Sequence, residues 1–308
     1  MQQMMTSGQF PDLLRVGIRK VFLSEYEQYP ELYSQVYKVE NSNRAYEEEL
    51  VMAGFGVIPE WNSDGQELPT DNVLAGNRIL YVHKDYGMMW SVSKRLLRED
   101  LYAKMGAELV REAVRAMKHT IEVVAWSVIS NGFNTINGRT LFGTQNLLGG
   151  GTFNNRLTVA LTPAGLESAL TLFHRWVNHR GIPVVIKPDV LIVPPQLNYV
   201  AHTLLNSTYY PNIGTAGNTT PSATGSAYYE NPFRNAVNKI LTVPYLTDPN
   251  DWFLFASPSV HKLRFFWREK PSTDMYTDFR TKGVSHSITC AFSVGYTDFF
   301  GVVGSQVS

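Results

Sequence analysis

The side chains able to do chemistry are few and badly spaced for it. His174 and His179 lie five apart, so they do not share one face of a helix as the two histidines of a metal-binding helix do. His119 and Glu122 do share a face, but two ligands do not make a site. Asp248 and Asp251 flank Pro249-Asn250, which is turn chemistry, with a carboxylate pair as the alternative. Gly149-Gly150-Gly151 lacks the Lys-Ser/Thr of a phosphate loop and reads as a flexible joint. Cys290 is the only cysteine, so no internal disulfide is available. It falls on the apolar face of an alternating stretch, where a small buried hydrophobe is the natural reading. Lys262, Arg264, Arg268 and Lys270 form one basic strand face. These residues predict no catalytic, cofactor or metal site.

The elements around them are longer than the chemistry requires. In residues 93–132, Leu97, Leu101, Met105, Leu109, Val110, Ala113, Val114, Met117, Ile121, Val124 and Val128 recur at three- and four-residue steps, the period of an amphipathic helix. Ser91 or Ser93 is placed to cap it, and Asn131-Gly132 to stop it. Asp100/Lys104 and Lys118/Glu122 are favourable pairs, whereas Glu108/Glu112 is not. One unbroken helix over this stretch is about 55–60 Å long, against a diameter near 50 Å for a compact globule of this length. That predicts an elongated subunit with a spine; the alternative is two helices broken near Gly106.

The C-terminal fifty residues match it in length. In SHSITCAFSVGYTD, His286, Ile288, Cys290, Phe292, Val294 and Tyr296 alternate with Ser285, Ser287, Thr289, Ala291, Ser293 and Gly295. About thirteen residues at ~3.3 Å make a strand of roughly 40 Å, which fits the apolar face of the spine. Between spine and strand, residues 140–256 read as a mixed α/β unit. Thr162-Pro163 opens a helix closed by Gly181, PVVIK and DVLIVPP are short strands, Pro195 starts a helix, 206–232 is a polar loop, and KILTVPYL and WFLFAS are strands. Residues 46–91 read as a long hairpin with limbs EEELVMAGFGVI and NRILYVHKDYGMMWSVS. In residues 1–45, Tyr26, Tyr29, Tyr33 and Tyr37 are accompanied by few aliphatics. Neither segment carries a core of its own, so both must rest on another surface.

The 308 residues balance 27 basic against 27 acidic side chains, which excludes binding nucleic acid by charge alone. No apolar run suits a signal peptide or a membrane span. The Asn206 and Asn218 sequons therefore carry no weight, and a reducing cytoplasm is the expected compartment.

The order of arm, hairpin, spine, inserted α/β unit and returning long strands resembles the Hong Kong 97 capsid fold of tailed double-stranded-DNA phages, an α+β class that encapsulins share. The stretches GRTLFGTQN, RGIPVVIKPDVLIVPPQL, NPFRNAVNKILTVPYLTDPNDWFLFA and VSHSITCAFSVGYTDFFGVVGS are similar to the Mu-like major head subunit family. The resemblance implies an N-terminal arm (1–45), an extended loop (46–91), a peripheral domain (92–139 and 257–308) and an axial domain (140–256). It implies a non-enzymatic subunit that forms homo-pentamers and homo-hexamers of an icosahedral head around double-stranded DNA. Separate scaffold and portal proteins, decoration proteins and assembly in a bacterial cytoplasm go with it. Tyr26, Tyr29, Tyr33, Tyr37, Trp61, Tyr81 and Trp90 are then expected at inter-subunit contacts, and Lys262, Arg264, Arg268 and Lys270 facing DNA. The 206–232 loop is expected near the capsomer axis or on the outer surface. An encapsulin-like compartment and a mixed α/β hydrolase are the alternatives.

Overall fold

The computed structural model describes residues 20–61, 65, 67–93, 102–135, 138–208, 230–278, 280 and 283–307. Most of the 206–232 loop, Asn218 and Asp100 lie outside them, and with Asp100 the expected Asp100/Lys104 pair.

The spine is one helix over Tyr102–Ser130, 29 residues with no break at Gly106 and about 43 Å long. It stops where the sequence predicts, with the Gly132 N–H bonded to Ile129 O at 2.9 Å. Leu141 and Phe142 N–H both return to Gly132 O, so the chain doubles back under the helix end. Ser91 does not cap the helix; it lies in a strand.

The long strands build a first sheet, in the order β1 (Lys38–Asn41), β11 (Leu263–Thr277), β12 (Val284–Tyr296), β4 (Lys84–Val92). The spine lies on it as its apolar stripe requires. Ala113, Val114, Met117 and Ile121 share one buried cluster with Ile288, Cys290 and Phe292, and Cys290 Sγ sits 3.2 Å from Met117 Sδ. Two corrections follow from this sheet. The stretch NRILYVHKDYGMMWSVS is not one limb. Its first half, β3 (Leu74–Val82), pairs with β2 (Tyr46–Ala53), while its second half, β4, pairs with β12. The hairpin therefore ends at Val82, and His83 is the turning point. Ala291 and Ser293, on the small-residue face of β12, are also buried, because the hairpin root covers that face.

The remaining strands are β5 (Thr144–Asn146), β6 (Thr152–Asn154), β7 (Arg156–Leu157), β8 (Val190–Val193), β9 (Lys239–Thr242), β10 (Trp252–Phe255) and β13 (Val302–Ser305). β5 and β6 form a hairpin whose turn takes Gly150 and Gly151 at positive φ, so the glycine run is a turn. The others form a second sheet, β7-β13-β10-β8-β9. Both faces of this sheet are buried. Val190, Ile192, Phe253 and Phe255 join the cluster under the spine, while Leu191, Val193, Trp252 and Leu254 join a second cluster with the helices Pro163–His174 and Asn198–Asn206. This explains why VLIV and WFLF read as unbroken apolar runs. Each such side chain contributes about 1.5–3 kcal/mol by leaving water.

Three expectations are corrected in this region. PVVIK is not a strand; only an isolated bridge joins Val177 to Pro183. Thr162 caps its helix, accepting the Gly165 N–H at 3.1 Å, but the helix ends at His174 rather than at Gly181. β13, from the C-terminal segment assigned to the peripheral unit, completes the second sheet. A strand alternating between two cores in this way ties the two units into one body.

Candidate assembly surfaces

The spine presents a second, polar stripe at the same three- and four-residue spacing, and the arm lies along it. Arg111 Nε pairs with Glu25 at 2.9 Å. Arg115 Nε donates to Tyr29 Oη. Lys118 Nζ donates to Tyr29 O at 2.6 Å and sits 4.0 Å over the Tyr26 ring. Glu122 accepts Leu32 N–H at 2.7 Å, Tyr33 N–H at 3.2 Å and the Trp126 indole N–H at 2.7 Å. Ala125 O accepts the Tyr37 hydroxyl at 2.8 Å. Lys118 and Glu122 thus each serve the arm. Burial pushes the Glu122 carboxyl above its usual range, despite those donors, and pulls Lys118 below its own.

Within the subunit the arm's tyrosines already have partners. Tyr33 and Tyr37 are buried in their own subunit, Tyr33 stacking on Phe265 with centroids 4.4 Å apart, and burial raises both phenols. Tyr26 and Tyr29 are occupied by Lys118 and Arg115. β1 then adds itself parallel to β11, which fixes the arm's far end.

The hairpin is anchored at its root and projects at its tip. At the root, Glu49 accepts Arg264 Nε at 2.9 Å and the Thr297 hydroxyl. Tyr81 is buried, its hydroxyl 2.6 Å from Thr297 and its ring edge-on to Phe266. His83 bridges Ser42 (3.2 Å) and Ser293 (3.1 Å), so both hairpin ends are tied to β12. The Ser42 hydroxyl donates to Glu47 at 2.6 Å, which leaves it to accept from Nε2–H and assigns the Nδ1 lone pair to Ser293. Tyr81 thus has its contacts inside the subunit, and Trp90 is half-buried against His286 at 5.5 Å.

Beyond the root the character changes. Phe55, Val57, Ile58, Trp61 and Leu68 are exposed, with Val57 at 78% and Ile58 at 89%. On the ladder behind them, Tyr46, Leu50, Met52, Leu80 and Val82 also face outward, around a Glu48–Arg78 pair at 2.5 Å. Such continuous apolar exposure marks an association surface. Of the aromatics expected at contacts, Trp61 alone lies on it.

The basic face is also altered. Arg264 is only 9% exposed and is held by Glu49 and, at 4.0 Å, Glu40. It leaves the face, because the hairpin root covers that part of β11. Lys262, Arg268 and Lys270 are exposed, with Glu269 among them.

The remaining candidates are structural. His179 Nε2 is 2.8 Å from Asp298, whereas His174 closes the helix Pro163–His174. Asp248 accepts Asn250 N–H and Asp251 accepts Val307 N–H, both turn or terminus contacts. Burial pushes the Cys290 thiol up to about 12, which keeps it protonated and unreactive. Among the described residues no group of three metal-ligating side chains occurs, and no helix is long and apolar enough to cross a membrane. Sequence reasoning missed Glu49 and Arg180, and it read Glu122 only as sharing a helix face with His119 and pairing with Lys118, not as the acceptor of the arm's N–H groups.

The sequence profile of a family described as phage capsid protein matches residues 77–305. No curated protein sequence matches. The structure is similar to the procapsid subunit of bacteriophage JBD30, at 17% identity, TM-score 0.51, covering 99% of this chain and 77% of that one. It is similar to the mature capsid of bacteriophage PhiM1, at 13% identity, TM-score 0.55, covering 91% and 88%. It is also similar to a virus-like particle from Pyrococcus furiosus, at 11% identity, TM-score 0.53, covering 94% and 98%. At these identities the likeness is one of fold.

Proposed function

The chain belongs to the family of phage capsid proteins, and on that premise we propose that it is the major head subunit. It tiles with copies of itself, as pentamers and hexamers, into an icosahedral shell around double-stranded DNA. The architecture fits the Hong Kong 97 plan: arm, extended loop, a peripheral layer of spine and long strands, and an axial unit around the second sheet. Bulk charge is balanced, so DNA is enclosed rather than gripped. Lys262, Arg268 and Lys270 are the residues of the basic strand left to face it. Scaffold, portal and decoration proteins are the further partners this reading implies.

The observation that carries the reading is the hairpin tip. Phe55, Val57, Ile58 and Leu68 stand in water on an extension whose root is fixed in its own subunit. A stable interface buries about 1,200–2,000 Å² in total with an apolar centre, and this tip supplies such a centre for a neighbour. Electron micrographs of the purified, expressed protein should show closed shells. Ile58→Asp should leave soluble, folded subunits and remove the shells; shells of normal yield from that variant would overturn the assignment of the tip.

A further inference from the structure

Between root and tip the hairpin has a neck, and one side chain from the axial unit holds it. The Arg180 Nε–H donates to Gly54 O at 3.1 Å, just after β2. Its Nη2 donates to Asp71 Oδ1 at 3.1 Å and to Asn72 O, just before β3. The planar fork therefore spans both limbs at once, which a point charge on a flexible stem does not do. Asp71 completes the clasp by accepting the Gly56 N–H at 2.6 Å through Oδ2. A Cβ on Gly56 would stand 3.2 Å from that oxygen. These bonds hold the Asp71 carboxyl below its usual range.

The mount of Arg180 is stiff. The Asn178 side-chain oxygen accepts both Arg180 N–H (2.8 Å) and Ile182 N–H (3.0 Å), and Gly181 closes the turn at φ +75°. His179, next in the chain, is tied to Asp298. Gly149, at the end of the β5–β6 hairpin, donates its N–H to His179 O at 2.7 Å, and a Cβ there would stand 3.1 Å from Arg180 Cα. The guanidinium is thus presented from three tethered points.

We propose that Arg180 is the positioning residue of the hairpin tip: by clasping both limbs of the neck to the axial unit, it sets the direction in which the apolar tip meets the next subunit. This rests on the reading of the tip as the inter-subunit contact. Release of the clasp leaves the tip pivoting about the Glu49–Arg264 root, so a subunit with an open neck is folded but presents the tip over a range of angles.

The test uses full-length Arg180→Ala, Arg180→Lys and Ile58→Asp subunits. Hydrogen exchange of unassembled Arg180→Ala should quicken about tenfold at the Gly56 amide and in the 54–58 and 71–74 segments, with its melting temperature unchanged. Its shells should be fewer or of mixed diameter, and Arg180→Lys, which keeps one contact to Asp71, should fall between it and the parent. Unchanged exchange at the neck overturns the clasp. Quickened exchange with shells of parental yield and diameter overturns its role in positioning. If Ile58→Asp also assembles normally, the tip reading itself has failed; if Ile58→Asp abolishes shells while Arg180→Ala leaves them intact, only the positioning role has.

Discussion

The arm and the hairpin leave the body of the subunit with the same deficit, and only one of them recovers it at home. Both are peripheral segments without a core of their own. The arm follows the spine for about four turns, and every three or four residues of the spine give it a partner: Arg111, Arg115, Lys118, Glu122, then Ala125 O. The hairpin is held at its root and at its neck, and beyond them exposes an apolar tip. The difference lies in what each carries. The arm brings aromatic rings with polar ends, which suit a half-polar groove in the same chain. The tip brings aliphatic and aromatic surface, Phe55, Val57, Ile58 and Leu68, that stays exposed among the described residues. Unmet apolar area is the feature on which the proposed contact with a neighbour rests.

Substitutions can break this contrast. The strongest is Ile121→Asp, which puts an unpaired charge where the spine meets β12; it should cost more than about 4 kcal/mol and yield insoluble subunits. Survival with a parental melting curve would dissolve the layer on which the arm rests. Next, Tyr37→Ala should cost about 3–5 kcal/mol, since the ring is 1% exposed and its hydroxyl is bonded. A loss under about 1 kcal/mol would mean the arm does not dock on its own spine.

Acid probes the same seat. His261, buried beside Val36 of the arm, has its Nδ1 occupied by Leu263 N–H, and burial lowers its pKa to about 4. A histidine lowered in the folded state binds fewer protons than the unfolded chain, so stability falls as pH drops from about 6.5 towards 4. The expected loss is about 2–3 kcal/mol, read as melting temperature against pH, and His261→Phe should flatten that part of the curve. At the other end, Val57→Asp at the tip should move subunit stability by no more than about 0.5 kcal/mol while removing shells from micrographs. A large drop in melting temperature there would show that the tip is packed within its own subunit.

Much of the body was legible. Leu109 to Val128 announced the spine by period, His286 to Tyr296 announced β12 by alternation, and Thr162-Pro163 announced a helix start, because each signal is local. His83 was not legible as a divide, since β3 and β4 are both good strands and only their different partners separate them. Arg264 read as solvent-facing by alternation, because alternation assigns a face but not what covers it. Gly181 read as a helix stop, whereas the helix ends earlier and the glycine serves the turn that mounts Arg180.

The sequence alone determined element type, the length match of spine and strand, the lack of catalytic spacing and the family likeness, all of which depend on residues close in the chain or on composition. Tertiary structure decided that the arm closes on its own spine, that β13 crosses into the second sheet, that Arg264 is withdrawn by Glu49, and that Arg180 grips the neck. Those are pairings across roughly fifty to two hundred residues, between groups that each have several acceptable partners. Nothing local ranks those partners; the choice is made by which of them the packed body brings within hydrogen-bond distance and shields from water.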